Sequence, residues 1–455
     1  MTAKPQARAR CVMRTGWYPP VFVLPHQIIG NAVEKIVYQS DNLSQDYRQS
    51  GTLSQWQEAV SLPCRGNSPL VLALSCAFAA MLLQPAQAES GGIHLVGESS
   101  TGKTTALRIA ASVYGAPNYL HRWRATTNGL EALAAQHSDT LLVLDELAQI
   151  DPKEAGEIAY MLANGSGKVR ASRSGRAKAK YEWRLLFLSA GEITLGQHLQ
   201  EGGKKTKAGQ EVRLLDISAD ANKGMGVFEQ LSGFESPALF SQALSQATTQ
   251  YYGTPAIVFL EKITESAYLP SFPDILKERC RAFITQHLPE KSDGQVHRVC
   301  ERFALIAAAG ELATGFSITG WTPGEADEAA ARCFKAWIEQ RGGVENRERF
   351  MVLSQVRRFF EAHGESRFTE WGAQHSRTIN RAGFRKTTSK NALYYVLPEV
   401  FKEEICAGLD YRSVLNVLLA EGCLEPEKDT PSRREYLPGI GRSRCYVITP
   451  KLWES

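Results

Sequence analysis

The hydrophobic and polar positions divide the chain into four stretches of different character. Residues 1–66 mix short strand-like apolar runs with turn residues, and residues 67–220 alternate apolar strands with helices. Apolar residues three and four apart between 225 and 340 predict helices. From about residue 345, further helices precede an apolar strand near the end of the sequence. We therefore expect four domains, with the bounds 1–66, 67–224, 225–344 and 345–455.

The second stretch predicts an α/β fold with a parallel sheet, because its strands are separated by helices. Apolar runs predict strands at 92–96, 140–146 and 184–189, and a helix is expected from Lys103 to about Tyr114. The last stretch has two or three helices followed by a β-wing, which is the element order of a winged helix, a variant of the helix-turn-helix. The expected fold class is thus α/β, with a C-terminal winged helix.

The composition is that of an ordinary globular protein. The chain has 455 residues, of which 43% are hydrophobic and 22% charged, so it contains enough apolar material for several cores. A net charge of +4 is too small to establish a nucleic-acid partner, and the positions of the basic residues must decide that question. The stretch 68–85 has about 15 apolar residues, fewer than a membrane span needs, which predicts a buried helix and no membrane association.

Nine cysteines are scattered singly, and no pair has the CxxC spacing of a zinc site. The first residues are basic but lack the apolar segment of a secretory signal. Both features predict reduced thiols in a cytoplasmic protein.

The segment LVGESSTGKTT at 95–105 matches the phosphate-binding pattern GxxxxGK[ST] without a gap. In such a P-loop the backbone N–H groups surround the phosphates, and the dipole of the following helix adds to the attraction. Lys103 is expected to reach the β- and γ-phosphate oxygens of ATP, and Thr104 to place its hydroxyl on Mg²⁺. The residues predicted to bind the nucleotide are Gly97, Glu98, Ser99, Ser100, Thr101, Gly102, Lys103, Thr104 and Thr105.

Two acids end the next buried strand, LLVLDE. Asp145 is predicted to hold Mg²⁺ through water, and Glu146 is the candidate base that polarises the attacking water. A strand that ends in acids because it reaches solvent is the alternative, which the upstream P-loop makes the weaker one. Ser189, at the predicted end of the strand RLLFLS, stands where many ATPases place a polar sensor of the γ-phosphate. A serine that merely ends a strand explains it equally well.

The segment GKVRASRSGRAKAKYEW alternates as a β-hairpin would, with a Ser-Gly turn. Its basic residues have no acid among them, which favours contact with the phosphates of single-stranded DNA over a solvated charged hairpin. The predicted DNA-binding residues are Lys168, Arg170, Arg173, Arg176, Lys178 and Lys180.

Arginines further along the chain are candidates to complete a nucleotide site. Arg213 follows a lysine-rich loop, and an arginine there can reach the γ-phosphate of a neighbouring subunit. A surface ion pair with Glu211 or Asp216 is the alternative, and spacing alone favours it. Arg298 and Arg302 are candidates for a second arginine that acts within the chain, although their spacing fits the solvated face of an amphipathic helix better.

The order of these motifs resembles a family of mobile-element and prophage proteins, long catalogued as a domain of unknown function and related to superfamily 3 and MCM-like AAA+ helicases. The resemblance covers most of residues 15–345 and extends to VFVLP, CRGNSPLVLALSCAFA and ERFALIAAAGELAT. It implies an AAA+ core with a helical lid, and an ATP-driven ring, expected to be a hexamer, that threads one DNA strand through its centre. The chain would then serve the replication of a phage, satellite or integrative element.

The resemblance also implies roles for particular residues. ATP would lie between subunits, with the P-loop and the two acids supplied by one subunit and Arg213, as an arginine finger, by the next. The basic hairpin would line the channel, with its tip from Arg173 to Arg176 gripping the strand, and Arg298 matches a sensor-2 arginine. Ser189 departs from the family, where asparagine is usual. The N-terminal part offers no cysteine pairs, so primer synthesis is not implied.

Two alternatives to a helicase stay open. An AAA+ switch, loader or transcriptional regulator would bind DNA and hydrolyse ATP without unwinding, whereas a defence or signalling NTPase would use the basic segment on protein or RNA. The expected partners are single-stranded DNA, further copies of the chain, and a primase or replication origin. Four basic residues near the wing favour DNA, although a solvated wing explains them nearly as well: Arg433, Arg434, Arg442 and Arg444.

Overall fold

The protein divides into two compact units, Met1–Val344 and Glu345–Ser455. The computed structural model describes residues 9–32, 34–39, 46–168, 180–204, 208–265, 268–341, 343, 347–373, 378–387, 392–428 and 430–453. The P-loop, the two acids and the candidate arginines of the nucleotide site all belong to the first unit.

The first unit begins with small strands and a buried helix. These elements are β1 (Ala9–Val12), β2 (Gly16–Tyr18), β3 (Val21–Leu24), β4 (Gln27–Ile29), β5 (Lys35–Tyr38), α1 (Leu53–Trp56), α2 (Leu62–Cys64) and α3 (Ser68–Ala80). β1 pairs with β5 in parallel, and β2, β3 and β4 form an antiparallel meander. Every residue of α3 is buried, which confirms the core helix predicted for 68–85, although the helix ends at Ala80. Among the described residues, no helix is long and apolar enough to cross a membrane.

Hydrogen bonds fasten the N-terminal strands to the rest of the unit. The Trp17 indole donates to the carbonyl oxygen of Met81 at 2.8 Å, and the Trp17 backbone N–H donates to Asp139 Oδ2 at 3.1 Å. Asp139 is buried and also lies 3.3 Å from the Arg184 guanidinium. Burial raises the pKa of the Asp139 carboxyl, and the Arg184 charge opposes that rise.

A five-stranded parallel sheet carries the P-loop. Its elements are β6 (Gly91–Val96), α4 (Lys103–Ser112), β7 (Leu120–Arg122), α5 (Thr127–Gln136), β8 (Leu141–Asp145), α6 (Pro152–Asn164), β9 (Leu186–Gly191), α7 (Leu195–Glu201), α8 (Ala208–Glu211) and β10 (Leu214–Ser218). The strand order is β10-β6-β9-β8-β7, and every pairing is parallel. The predicted parallel α/β sheet is therefore confirmed. β9 lies between the P-loop strand and the strand that ends in Asp145.

Helices make up most of the remainder of the first unit, as the apolar spacing predicts. They are α9 (Pro237–Gln250), α10 (Thr254–Thr264), α11 (Phe272–His287), α12 (Gly294–Gly315) and α13 (Glu325–Arg341). α12 begins at an aspartate cap, since Asp293 accepts hydrogen bonds from the N–H groups of Gln295 and Val296. α12 and α13 pack against α3, which extends the core of the sheet into the helical region.

The second unit combines helices with a mostly antiparallel sheet. Its elements are α14 (Arg347–His363), β11 (Phe368–Glu370), β12 (Gly383–Thr387), β13 (Ala392–Val396), α15 (Pro398–Val400), α16 (Tyr411–Ala420), β14 (Leu424–Glu425), β15 (Arg433–Leu437) and β16 (Gly441–Ile448). The strand order is β11-β12-β13-β16-β14, and β15 pairs with β16 as a hairpin. β11, β12 and β13 were not predicted. Val414 and Leu418 of α16 pack in the same core as Val356 and Phe360 of α14.

Candidate active site

The P-loop connects β6 to α4, and its conformation depends on Gly102. This residue has a φ of +90°, in the left-handed region that favours glycine. A Cβ at Gly102 would lie 2.7 Å from Val227 Cγ2, which is too close. The backbone N–H of Val227 also donates to the carbonyl oxygen of Thr101 at 2.9 Å. The segment after β10 thus braces the loop, and both the backbone angle and the close approach require glycine.

Lys103 lies inside the P-loop at the first position of α4. Its ammonium group donates to the carbonyl oxygens of Gly97 at 2.7 Å and Glu98 at 2.5 Å. The residue is only 9% exposed, and burial lowers its pKa, while three nearby carboxylates oppose that shift. A cation held at a helix N-terminus among backbone N–H groups is suited to bind the oxygens of a phosphate chain.

Thr104 and Asp145 meet beside the lysine. Thr104 Oγ1 donates to Asp145 Oδ2 at 3.1 Å, and Asp145 Oδ1 accepts from the backbone N–H of Glu146 at 3.1 Å. Glu146 has a φ of +64°, so the chain turns sharply as it leaves β8. A hydroxyl next to a carboxylate offers the oxygen ligands that Mg²⁺ prefers, so these residues fit a magnesium ion bound with ATP. The structure brings together the lysine, the hydroxyl and both acids.

The other predicted P-loop residues also lie at this edge of the sheet. Ser99 and Ser100 are exposed, and Ser100 adopts a φ of +64° in the turn of the loop. Thr105 is buried and lies 2.6 Å from Ser241 Oγ on α9, so its hydroxyl faces the helical region.

Sequence reasoning missed a third acid, Glu192. β9 continues to Gly191, so Glu192 is the first residue after the strand, one strand away from Asp145 and Glu146. Among the carboxylates that oppose the lowered pKa of Lys103, Glu192 has the largest effect. An acid directly after the apolar run LLFLSAG was the signal that could have found it.

Ser189 occupies a different place from the predicted one. The prediction that it ends its strand is wrong, because Ala190 and Gly191 still pair with Leu95 and Val96 of β6. Ser189 is fully buried, and its hydroxyl accepts from Trp123 Nε1 at 2.8 Å and lies 2.8 Å from His94 Nδ1. The hydroxyl is therefore used within the core, and a direct contact with the γ-phosphate is not supported.

His94 links Ser189 to the turn that carries Glu192. Its Nε2 lies 3.0 Å from the carbonyl oxygen of Ile193, which can only accept, so Nε2 carries the proton and Nδ1 accepts from Ser189. His94 is fully buried, and burial lowers its pKa to about 4. The imidazole is thus neutral at physiological pH.

The stability of the first unit is expected to depend on pH through His94. The folded-state pKa of His94 is about 4, below the ordinary value of 6.5. The contribution of His94 to the free energy of unfolding is therefore complete above pH 6.5 and is lost as the pH falls toward 4. The free energy of unfolding in urea can be measured at about pH 8 and at about pH 5. We expect its decrease between these two pH values to be about 2 kcal/mol smaller in His94→Gln than in the wild type. An equal loss in both proteins would contradict the buried neutral state.

The structure describes only the two ends of the predicted basic hairpin. Residues 169–179 lie outside the described residues, and with them Arg170, Arg173, Arg176 and Lys178. The flanking segments run antiparallel, since the Gly167 N–H donates to the carbonyl oxygen of Tyr181 at 3.0 Å and the Trp183 N–H to that of Gly165 at 2.9 Å. Lys168 and Lys180 are exposed at these ends.

Arg213 lies at the end of the sheet where the strands begin, whereas its own P-loop lies at the end where the strands finish. It directly precedes β10, which is parallel to β6, whereas Lys103 follows the far end of β6. The six residues of β6 span about 16 Å. The Arg213 guanidinium stacks on the ring of Tyr160 at 4.5 Å and donates to the carbonyl oxygen of Gly209 at 2.8 Å.

The two arginines of α12 lie at the same end of the sheet as Arg213. Arg302 donates to the carbonyl oxygen of Val212 at 3.0 Å, and burial lowers its pKa to about 10. A Cβ on Gly91 would lie 2.2 Å from Arg302 Nη2, so the guanidinium fits under β6 only because residue 91 is glycine. The prediction that Arg302 lies on a solvated helix face is therefore wrong. Arg298 is exposed and lines, together with Arg213, a cavity of about 740 Å³.

The fold and the site define a P-loop protein of mixed α/β architecture, in which a parallel sheet places two acids beside the loop lysine. A family model described as a domain of unknown function (DUF927) matches residues 1–182. Among solved structures, the chain is similar to one named "SCCmec type IV Cch - active helicase", with a TM-score of 0.71 and 16% identity. That match covers 98% of this chain and 79% of the other. No curated protein sequence matches. The structural match shows that this chain and the solved protein share a fold.

Proposed function

We propose that this chain is an ATP-dependent DNA helicase that moves along single-stranded DNA as a ring of identical copies, expected to number six. Its role would be the replication of a phage, satellite or integrative element. The fold that it shares with a solved helicase supports the proposal. The bound cofactors would be ATP and Mg²⁺, held by Lys103, Thr104 and Asp145, with Glu146 polarising the attacking water.

One observation carries this proposal. A single chain presents the P-loop at one edge of its sheet and Arg213 at the other, too far apart to act on one nucleotide. The P-loop of one copy and Arg213 of another meet only when the end of the sheet where the strands of one copy begin faces the end where the strands of the next copy finish. Such a head-to-tail contact repeats from copy to copy, and it forms a ring when the rotation between copies closes. Arg298 lines the same cavity as Arg213, so in this arrangement it would face the neighbour's nucleotide and not, as expected from the sequence, the nucleotide of its own chain.

We include the helices α9 to α13 in the proposal as a lid over the nucleotide. The hydroxyl contact of 2.6 Å between Thr105 of the P-loop helix and Ser241 of α9 supports this role. A change in the P-loop on hydrolysis would reach α9 through that contact.

The basic hairpin is proposed to grip DNA in the channel, and the antiparallel pairing of its two flanks supports that shape. The double variant Arg173→Ala/Arg176→Ala is expected to keep basal ATPase activity but to lose both unwinding and the stimulation of ATPase activity by DNA. The reason is that the two arginine side chains are proposed to contact DNA phosphates. The control Lys262→Ala/Lys335→Ala removes two exposed charges elsewhere and should behave as wild type. Unwinding by the hairpin variant at the wild-type rate would dismiss the channel role.

A second candidate function, a DNA-binding switch that does not unwind, is favoured by the surface of the β15–β16 hairpin. Arg434 pairs with Arg444 and Tyr436 with Arg442 in the ladder, so these four exposed side chains share one face. Three cations and an aromatic ring on these two strands form a surface suited to a phosphate backbone. We propose that the second unit is a winged helix, in which α16 precedes this wing.

The wing surface gives a separate prediction. Arg434→Ala/Arg444→Ala is expected to weaken binding of duplex DNA and to lower the slope of log affinity against log salt by about 2, one for each lost phosphate contact. Arg433→Ala is the control from the opposite face of the same strand, where Arg433 pairs with Glu425 at 2.8 Å and Glu435 at 3.0 Å. An equal salt slope in the double variant and the wild type would remove the wing from the DNA interface.

A strand-displacement assay with ATP separates the two candidate functions. The helicase displaces the strand, and the displacement stops in a Glu146→Gln variant that binds ATP but cannot polarise the water. DNA binding and ATP hydrolysis without displacement would favour the switch.

A further inference from the structure

Three side chains that lie far apart in the sequence meet beside β7 and β8, away from the P-loop chemistry. Asp46 precedes α1, His121 belongs to β7, and His137 follows the last residue of α5. One ligand atom from each of the three residues lies within 4.8 Å of the others. Two imidazoles and a carboxylate are the ligand types that Zn²⁺ accepts.

His137 aims a free lone pair into this cluster. The side chain is fully buried, and its Nδ1 lies 2.9 Å from the carbonyl oxygen of Leu133. A carbonyl only accepts, so Nδ1 carries the proton and Nε2 the lone pair. Among the described residues, Nε2 has no hydrogen-bond partner.

His121 has the complementary geometry. Its Nε2 is buried and, among the described residues, makes no hydrogen bond, although it lies 3.4 Å from Asp46 Oδ2. The rings of His121 and His137 are nearly perpendicular, with centroids 5.3 Å apart. In a tetrahedral zinc site with ordinary bond lengths, the ligand atoms lie about 3.4 Å from one another. The separation of His121 from Asp46 therefore already matches one edge of such a site.

Outer contacts orient the ligands. Asn118 Nδ2 donates to Asp46 Oδ1 at 2.8 Å, Asp46 Oδ2 lies 3.4 Å from His121 Nε2, and the Leu133 carbonyl fixes the ring of His137. Hydrogen bonds of this kind, from the far side of each ligand, are typical of metal centres. Among the described residues these two buried imidazole nitrogens have no hydrogen-bond partner, and leaving such a nitrogen unsatisfied costs about 1–3 kcal/mol.

We propose that Asp46, His121 and His137 bind a Zn²⁺ ion, or a divalent ion of the same ligand preference, with water as the fourth ligand. The nitrogen-rich set disfavours Mg²⁺, which prefers oxygen ligands. Asp46 lies in the N-terminal part, His121 in the edge strand, and His137 just before the strand that ends in Asp145. The ion would join these segments, so its role is to stabilise this edge of the sheet.

The test measures the metal content of the full-length protein by mass spectrometry, after dialysis against chelator and reloading with Zn²⁺. We expect about one equivalent in the wild type and in Lys103→Ala, and a small fraction of that in His137→Ala and Asp46→Asn. The control His26→Ala removes an exposed histidine and should keep the ion. Because Lys103→Ala removes the nucleotide function only, a retained ion separates this site from the P-loop.

Two further readouts guard against a variant that merely misfolds. Saturating Zn²⁺ should raise the Tm of the chelated wild type by about 5 °C and leave that of Asp46→Asn unchanged, since only the wild type gains binding energy in the folded state. Co²⁺ in place of Zn²⁺ should give the visible absorption of a tetrahedral site. Equal metal content in wild type and Asp46→Asn, or a wild type without bound metal and without a shift in Tm, would overturn the proposal.

Discussion

Replacing Lys103 with alanine is expected to abolish ATP turnover, with a loss of at least about a hundredfold, because no other cation of the P-loop can stabilise charge on the transferred phosphate. The folded protein should tolerate the change. Burial lowers the pKa of Lys103, so its charged form costs stability that alanine does not. We expect the Tm of Lys103→Ala to equal or exceed that of the wild type.

The matched control for this variant is Arg108→Ala, which removes an exposed cation from the same helix. Steady-state ATPase assays with and without single-stranded DNA should show wild-type turnover for Arg108→Ala. Turnover by Lys103→Ala within a few-fold of the wild type would remove the P-loop from the mechanism.

Replacing Arg213 with alanine is expected to lower ATP turnover by roughly a thousandfold, the size of effect that an arginine finger has. The structure makes this prediction specific, because Arg213 lies about 16 Å along the sheet from its own P-loop. Nucleotide binding should survive, since Arg213→Ala leaves Lys103 and Thr104 intact. Arg302→Lys, which keeps a cation under β6, should lower ATP turnover much less than Arg213→Ala does.

Mixing two inactive variants tests whether Arg213 acts on a neighbour. In an equal mixture of Lys103→Ala and Arg213→Ala chains, about a quarter of the contacts between copies join an intact P-loop to an intact Arg213. We expect the mixture to recover ATPase activity that neither variant has alone. A mixture as inactive as its components would contradict the action of Arg213 on a neighbour's nucleotide.

The parts of the site that are local in sequence could be predicted from it. The P-loop and the strand ending in Asp145 are contiguous, because backbone N–H groups and a buried parallel strand each need a short run of particular residues. The strand β9 was placed two residues short, since Ala190 and Gly191 lack the bulk that marks a buried strand. That displacement hid Glu192 and gave Ser189 a role that its buried hydroxyl does not support.

Contacts between distant segments could not be predicted in the same way. Arg302 has the spacing of a solvated helix face, and only the missing side chain of Gly91 makes room for it beneath the sheet. Asp46 lies 75 residues before His121, and His121 lies 16 residues before His137, so these ligands do not follow a short spacing rule for metal sites. These positions depend on which strands become neighbours, which periodicity along one chain does not encode.

Particle images of the Glu146→Gln variant, with ATP, Mg²⁺ and single-stranded DNA, distinguish a ring of copies from single chains. We expect a closed ring in which Arg213 of each copy reaches the phosphates held by Lys103 of the next, with residues 169–179 against a DNA strand in the central hole. Single copies under these conditions, or a ring in which Arg213 faces away from every nucleotide, would contradict this expectation.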